Sequence, residues 1–561
     1  MRDATTEAIL RHIGEHPRDV GAYGDLVAWL RERRRAGDAD LAAEAEGRAL
    51  LSVAPTGGWA DVGQMEAMLG HLRSLLVLSA PDDLDCFMQA MEFDRRPERR
   101  YWLPRRERLW RLCAELQRLE TDPDARGLLV AMPPRTGKST GCGFAMAWHM
   151  GRNPYAANLM VSYSDTICMH FFDQATQLAG YVETQGRKAG KAVSEYNYAE
   201  IFPDSLVFDR SAQYETLTLG GQQAYPTLTC RSIGGTLTGA TEVGEGGWLY
   251  ADDLVKDLEQ AMSPSRLDKL WQQYVNQAYD RRKEGAKLLN VGTIWDVRDP
   301  QMRMMEAHEG DPAYRTLVIP ALDPDTGESN FEYLYGLGFS RRYYADMRRM
   351  TDSATWAAKY EGRPRSRSGL LFPADSLMRY LTLPEGEPDA TVAVCDTKDR
   401  GEDYLVLLVA RSWAGRWYLT DCVCDNGNPD ALRARVTARL VETGCQSCRF
   451  ESNSAGGRFA KDVADMLGER GALCAVTTKY TGSNKETRIL AASPWVTNSL
   501  TFRDPSLYSD HDDYGRMMAQ VVGYTLEGRV PHDDAPDALS MLADLLSRRA
   551  PQRAVPLRRP F

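Results

Sequence analysis

Apolar and polar positions follow two different periods along this chain, and the change of period divides it. Over residues 1–95, apolar residues recur at helical spacing (Leu26, Val27, Trp29 and Leu30, then Leu41, Leu50 and Leu51) with charged faces between them. Glycine and proline at 55–58 interrupt this stretch, and Pro81 opens another helix. It carries no chemical motif and reads as a helical accessory region. From 96 to 320, apolar runs at 128–132, 158–163, 248–251 and 287–294 alternate with helical segments. That alternation predicts an α/β domain with a mainly parallel sheet, its functional loops at the carboxyl ends of the strands. Residues 321–384, with turn formers at 323–330 and 362–369, read as a connector. A second α/β pattern fills 385–547. Strands are predicted at 390–396, 404–410 and 417–424 as a meander, then a helix over 429–443 and a strand at 447–451. The final helix, 534–547, opens on acidic residues that the helix dipole favours. Residues 548–561, with five arginines and three prolines, read as a disordered basic tail. No internal repeat is visible.

Composition narrows the class. A chain of 561 residues, 43% hydrophobic and 26% charged, is of ordinary globular make-up and long enough for two or more cores. No apolar run approaches the ~20 residues of a membrane span, and the first ten residues show no apolar signal segment. Eleven scattered cysteines suggest reduced thiols in a cytoplasm. The net charge of −10 is not the footprint of a static duplex binder. Arginines nevertheless crowd one segment (Arg95, Arg96, Arg99, Arg100, Arg105, Arg106, Arg108, Arg111), and local patches suit a machine that grips and releases DNA.

Chemistry concentrates in two places. The run Leu128-Leu129-Val130-Ala131-Met132-Pro133-Pro134-Arg135-Thr136-Gly137-Lys138-Ser139-Thr140 goes from a strand into a glycine-lysine-hydroxyl turn with a helix behind it. That order builds a phosphate cradle: backbone N–H groups face the anion, Lys138 reaches the β/γ-phosphates and Ser139 ligates Mg²⁺. Met132 stands where the usual pattern has its first glycine. Arg135 to Thr140 are thus candidate ATP-binding residues, joined by Asp252. After the strand Trp248-Leu249-Tyr250-Ala251, Asp252 would hold Mg²⁺ and Asp253 would orient and deprotonate the attacking water. Between the glycine-lysine-hydroxyl turn and this strand lies the glycine-rich Arg231-Ser232-Ile233-Gly234-Gly235-Thr236-Leu237-Thr238-Gly239. Arg231 and Arg135 are candidate arginine fingers, and Thr293, at the end of another strand, a candidate γ-phosphate sensor.

The second place lies in the 385–547 pattern. Asp396 ends one strand and Glu451 another, and His532-Asp533-Asp534-Ala535-Pro536-Asp537 puts carboxylates at a helix start. Three such stations can converge on two divalent ions that activate water and stabilise a leaving 3′-oxygen. Oxygen-only ligation favours Mg²⁺ or Mn²⁺. Asp534 and Asp537 are equal candidates for the third ligand. Asp403 is a possible support and Lys485 a possible phosphate contact. Cys422 and Cys424, and Cys445 and Cys448, have zinc-like spacing, but the first two share a strand face where thiols pack as hydrophobes, so zinc is not expected.

Together the two halves resemble the large terminase subunit of tailed bacteriophages. The resemblance covers about residues 100–547. It rests on Pro133 to Ser139, Val161-Ser162-Tyr163-Ser164, Gly234 to Gly239, Asp252-Asp253-Leu254-Val255-Lys256-Asp257 and His532 to Leu539. The replaced P-loop glycine is usual in that family. Thr293-Ile294-Trp295-Asp296 departs from it, since many relatives have an arginine-tryptophan-histidine run there. The resemblance implies a P-loop ATPase that drives double-stranded viral DNA into a procapsid, followed by an RNase H-like endonuclease that cuts concatemers. It also implies a portal protein and a small terminase subunit as partners, a homo-oligomeric ring at the portal vertex, and the host bacterial cytoplasm as location. The competing readings are a cellular translocase or helicase fused to a nuclease, which needs a second motor lobe, and a packaging scaffold with decayed sites, which the intact lysine and carboxylates oppose.

Overall fold

The computed structural model describes residues 3–53, 62–181, 196–235, 242–365, 370–397, 403–452, 456–482, 484–525 and 532–547. Residues 236–239 of the glycine-rich loop and the basic tail 548–561 lie outside the described residues. The chain forms two compact units, one of Met1–Tyr344 with Ala357–Pro364 and one of Ala345–Trp356 with Arg365–Phe561.

In the first unit, eight strands form one sheet: β1 (Gly127–Ala131), β2 (Asn158–Ser162), β3 (Val207–Ser211), β4 (Thr216–Leu219), β5 (Leu228–Ser232), β6 (Trp248–Asp252), β7 (Lys287–Gly292) and β8 (Tyr314–Val318). The order is β3-β4-β5-β2-β6-β7-β1-β8. The six strands from β5 to β8 run parallel, whereas β3 and β4 extend the edge antiparallel. β1, β2, β6 and β7 are buried along their whole length, as parallel strands covered on both faces require. The ends of β1, β7 and β6 are therefore neighbours, and three loops with candidate chemistry leave the sheet side by side.

The N-terminal helices belong to this unit. Leu10, Ile13, Tyr23, Leu26, Leu30 and Leu75 bury a helical cluster of their own. Trp148 Nε1 donates to Ala80 O at 2.8 Å, and the buried Asp85 accepts from Trp102 Nε1 at 2.7 Å. The arginine-rich segment is partly consumed by the same packing. Arg106 pairs with Asp85 at 2.7 Å and Arg95 with Glu92 at 2.9 Å, while Arg100 donates to Arg95 O at 2.8 Å. Arg96, Arg99, Arg108 and Arg111 are the exposed remainder.

The second unit holds β9 (Met378–Tyr380), β10 (Ala390–Asp396), β11 (Leu405–Trp413), β12 (Arg416–Asp425), β13 (Ser447–Glu451), β14 (Ala475–Lys479) and β15 (Leu500–Arg503), in the order β14-β13-β10-β11-β12-β15-β9. β10, β11 and β12 form an antiparallel meander. Its second hairpin closes on Ala414 and Gly415, both with positive φ (49° and 76°), the requirement of a two-residue turn matched to strand twist. β13 and β14 add in parallel beside β10. The period of two assigns the faces. Val392 and Val394 enter the core that includes Ala538 and Leu542 of the helix Asp534–Ser547. Ala393 and Cys395 enter the opposite core, with Leu432 and Val463. Asp396 continues the first series, so its side chain falls on the face of the Asp534–Ser547 helix. Cys422 and Cys424 pack in the first core, Cys445 and Cys448 in the second. The region read as a connector is folded here: Tyr333 is buried in the first unit, and β9 is an edge strand of the second.

Candidate nucleotide and metal sites

The turn after β1 reverses direction through two left-handed residues, Arg135 (φ 63°) and Gly137 (φ 93°). Gly137 is the N-cap of the helix Lys138–Arg152, so free N–H groups of a helix start lie where the sequence predicts the phosphate cradle. A Cβ on Gly137 would approach Tyr101 to 3.2 Å, on top of the strain of its φ. Thr136 is buried, and its hydroxyl donates to Pro133 O at 2.8 Å. Arg135 is exposed. The Thr140 carbonyl accepts from Gln174 Nε2 at 3.4 Å.

Lys138 is buried at 4% exposure and donates to Asp253 Oδ2 at 2.8 Å and to Thr293 Oγ1 at 3.3 Å. Asp253, held at φ 42°, also accepts from the Thr293 N–H at 2.8 Å. The structure thus joins the ends of β1, β6 and β7 through one lysine, one carboxylate and one threonine. Burial pulls the Lys138 ammonium down, but Asp253 and Asp252 outweigh it and hold it above its usual value. Asp252 is buried, and desolvation together with the neighbouring Asp253 charge pushes its carboxyl up to about 6. Its Oδ1 has no hydrogen-bond partner among the described residues, and the Ser139 hydroxyl is one of the groups opposing the upward shift. An orphaned buried carboxylate oxygen beside a hydroxyl is the donor set that suits Mg²⁺.

Arg231 lies on β5, separated from β6 by β2. Its guanidinium donates to the carbonyls of Tyr214 and of Cys230 (2.7 Å for the latter), so it is engaged within its own sheet edge. Asp299 was missed by sequence reasoning. It is fully buried, accepts from Trp295 N at 3.1 Å and Gln301 N at 2.9 Å, and burial pushes its carboxyl up to about 7, with Asp253 adding to the shift. The signal was the pair Asp299-Pro300, an N-cap before a proline-opened helix.

In the second unit, ligand oxygens of Asp396, Glu451 and Asp537 lie within 4.8 Å of one another, and all three residues are buried. β13 runs parallel to β10 with Phe450 opposite Cys395 in the second core, so Glu451 faces the same side as Asp396. Asp537 reaches them from the first turn of its helix. Asp534, three residues earlier in the same turn, is outside that trio. Its Oδ2 accepts from Tyr404 N at 3.1 Å, and Lys485 lies 3.6 Å from its Oδ1. Asp403 is exposed.

Two cations face the trio. Arg488 donates to both oxygens of Asp537 at 2.7 and 2.6 Å and lies 3.6 Å from Glu451. Lys485 bonds Asp533 at 2.7 Å and lies 3.8 Å from Asp537. Burial drives the Asp396 carboxyl far above its usual range, and the Asp537 and Glu451 charges push it further. Burial also raises Asp537, against the pull of Arg488 and Lys485. Three buried carboxylates that offer only oxygen donors at this spacing suit a hard divalent cation such as Mg²⁺ or Mn²⁺. A second cluster among the described residues, Asp83, Asp85 and Cys86, has Asp85 engaged by Trp102 and Arg106.

No protein-family model matches the chain, and no curated protein matches its sequence. Among solved structures, the human cytomegalovirus terminase nuclease domain, Mn soaked and inhibitor bound, is similar at 13% identity over 32% of this chain and 95% of that one, with a TM-score of 0.26. The chain is likewise similar to the large terminase of a thermophilic bacteriophage, at 12% identity over 77% of this chain and 97% of that one with a TM-score of 0.41, and to the ADP complex of that terminase, at 13% identity over the same shares with a TM-score of 0.42.

Proposed function

We propose that this protein is a DNA-packaging motor of the large-terminase kind, an ATPase in its first unit and a metal-dependent DNA endonuclease in its second. One observation carries the reading: a single chain holds a P-loop lysine bonded to Asp253 and Thr293, and separately a buried trio of Asp396, Glu451 and Asp537. In the first site Lys138 neutralises charge on the transferred phosphate, Asp253 orients the attacking water, and Thr293 responds to the γ-phosphate through its bond to Lys138. Ser139 and Asp252 would hold Mg²⁺. In the second, the trio would hold two divalent ions, which would supply an activated water and stabilisation of the leaving 3′-oxygen. Arg488 and Lys485 balance the carboxylates. The partners are double-stranded viral DNA and, by the sequence resemblance, a portal protein, a small terminase subunit and further copies in a ring at the procapsid vertex in the host cytoplasm. No helix among the described residues is long and apolar enough to cross a membrane.

Displacement of a third strand from a DNA triplex by the purified chain with ATP tests translocation. Nucleotide-dependent displacement on blunt duplex is expected. Unwinding of the duplex itself would instead favour the helicase reading.

A further inference from the structure

Across a trans peptide, the carbonyl of one residue and the N–H of the next point in opposite directions. A group that fixes the Thr136 carbonyl therefore fixes where the Gly137 N–H points, and a group on the Gly137 carbonyl does the same for the Lys138 N–H. Two elements distant in sequence supply such groups. Tyr333 Oη donates to Thr136 O at 2.7 Å, and Tyr101 Oη donates to Gly137 O at 2.8 Å. Both phenols are desolvated and stay protonated, so each remains a donor. The Arg105 guanidinium lies over both rings, 5.0 Å from the centroid of Tyr101 and 5.1 Å from that of Tyr333. Its Nη1 bonds Tyr101 O at 2.8 Å. Tyr101 also stacks on Phe144 of the helix that the P-loop opens, at 5.5 Å and 15°. The two contacts differ in one respect. Gly137 O also accepts from Gly141 N at 3.0 Å, whereas Tyr333 is the donor found on Thr136 O among the described residues.

We propose that Tyr333 and Tyr101, braced through Arg105, are positioning residues of the nucleotide site that turn consecutive P-loop carbonyls inward and so aim the Gly137 and Lys138 N–H groups at the phosphates. The proposal rests on residues 132–140 being a nucleotide cradle. It assigns work to two residues that no P-loop pattern contains, one of them from the stretch that reads as a connector.

Calorimetric titration of Mg·ATPγS into the full chain tests it, with Tyr333→Phe, Tyr101→Phe and Lys138→Ala beside the wild type. Phenylalanine keeps the ring under Arg105 and removes only the hydroxyl. Tyr333→Phe should weaken binding roughly 3- to 10-fold, and Tyr101→Phe about 2-fold, because Gly141 N remains on its carbonyl. In steady-state hydrolysis KM should rise with little change in kcat, since the cradle holds ground and transition states alike. A merely structural role would lower the melting temperature of nucleotide-free protein and leave the affinity of folded protein unchanged. Unchanged affinity in folded Tyr333→Phe overturns the proposal. If that variant does not fold, unchanged affinity in Tyr101→Phe does the same. Should Lys138→Ala bind like wild type, the cradle reading itself fails. If Lys138→Ala loses binding while both phenylalanine variants keep it, only the clamp fails.

Discussion

Asp534 and Asp537 sit three positions apart on one helix, a spacing that gives both the same face. That offset decides what each meets: Asp534 is occupied by the Tyr404 amide, and Asp537 joins Asp396 and Glu451. Substitution should separate them. Asp537→Asn is expected to lower Mn²⁺-dependent plasmid cleavage by ~100-fold or more, and Asp534→Asn by ~10-fold, the lower end for a group beside the ligands and not among them. Equal losses in the two variants would contradict the placement. The sequence left this choice open because identical letters on one helix face carry no record of their long-range partners. Lys138, Asp252 and Asp253 were legible for the opposite reason, since strand, turn and carboxylate are local patterns. Asp299 and Arg488 were not, because an N-cap and a helical arginine look ordinary until the fold brings charge against them.

At the scale of elements, the strands with continuous apolar runs are legible to within a few residues, whereas the short buried β5 and β15 and the exposed edge strands are not. β3 and β14 are largely exposed edge strands, so they lack the continuous apolar run that marks β1, β2, β6 and β7. The helix Lys138–Arg152 illustrates how the first site is held in place. At its far end His149 lies 2.7 Å from Glu120 and Arg152 3.2 Å from it, with Asn153 bonding the same carboxylate at 2.7 Å. Burial raises the Glu120 carboxyl, but His149, Arg152 and Asn153 outweigh it and bring it from 4.5 down to about 2. A depressed carboxyl contributes stability that is full above its unfolded value and is lost as pH falls through the folded one. Glu120→Gln should therefore lower unfolding stability by on the order of 2–3 kcal/mol at pH 7. The deficit should shrink as pH falls below about 4.5 towards about 2. Urea unfolding at pH 7 and pH 4 checks this; a deficit that grows on acidification would contradict the ion-pair account.

For the whole molecule, the order of the two α/β patterns was legible, and the boundaries were not. Turn-rich composition at 321–384 suggests a free connector, yet Tyr333 bonds the P-loop and Met378–Tyr380 pairs with β15. Turn formers mark bends and do not tell whether the bends are packed. The arginine cluster near residue 100 reads as surface charge, and half of it is spent inside the first unit. The division of labour between units leads to two reciprocal losses. Lys138→Ala should abolish ATP hydrolysis and spare Mn²⁺-dependent cleavage, because the trio draws no residue from the first unit. Asp396→Ala should abolish cleavage and spare hydrolysis for the corresponding reason. Measuring both activities on the same preparations of wild type and these two variants tests the central claim most directly. The account predicts one activity lost in each variant and the other retained; joint loss of both activities in a folded variant, or retention of both, would contradict it.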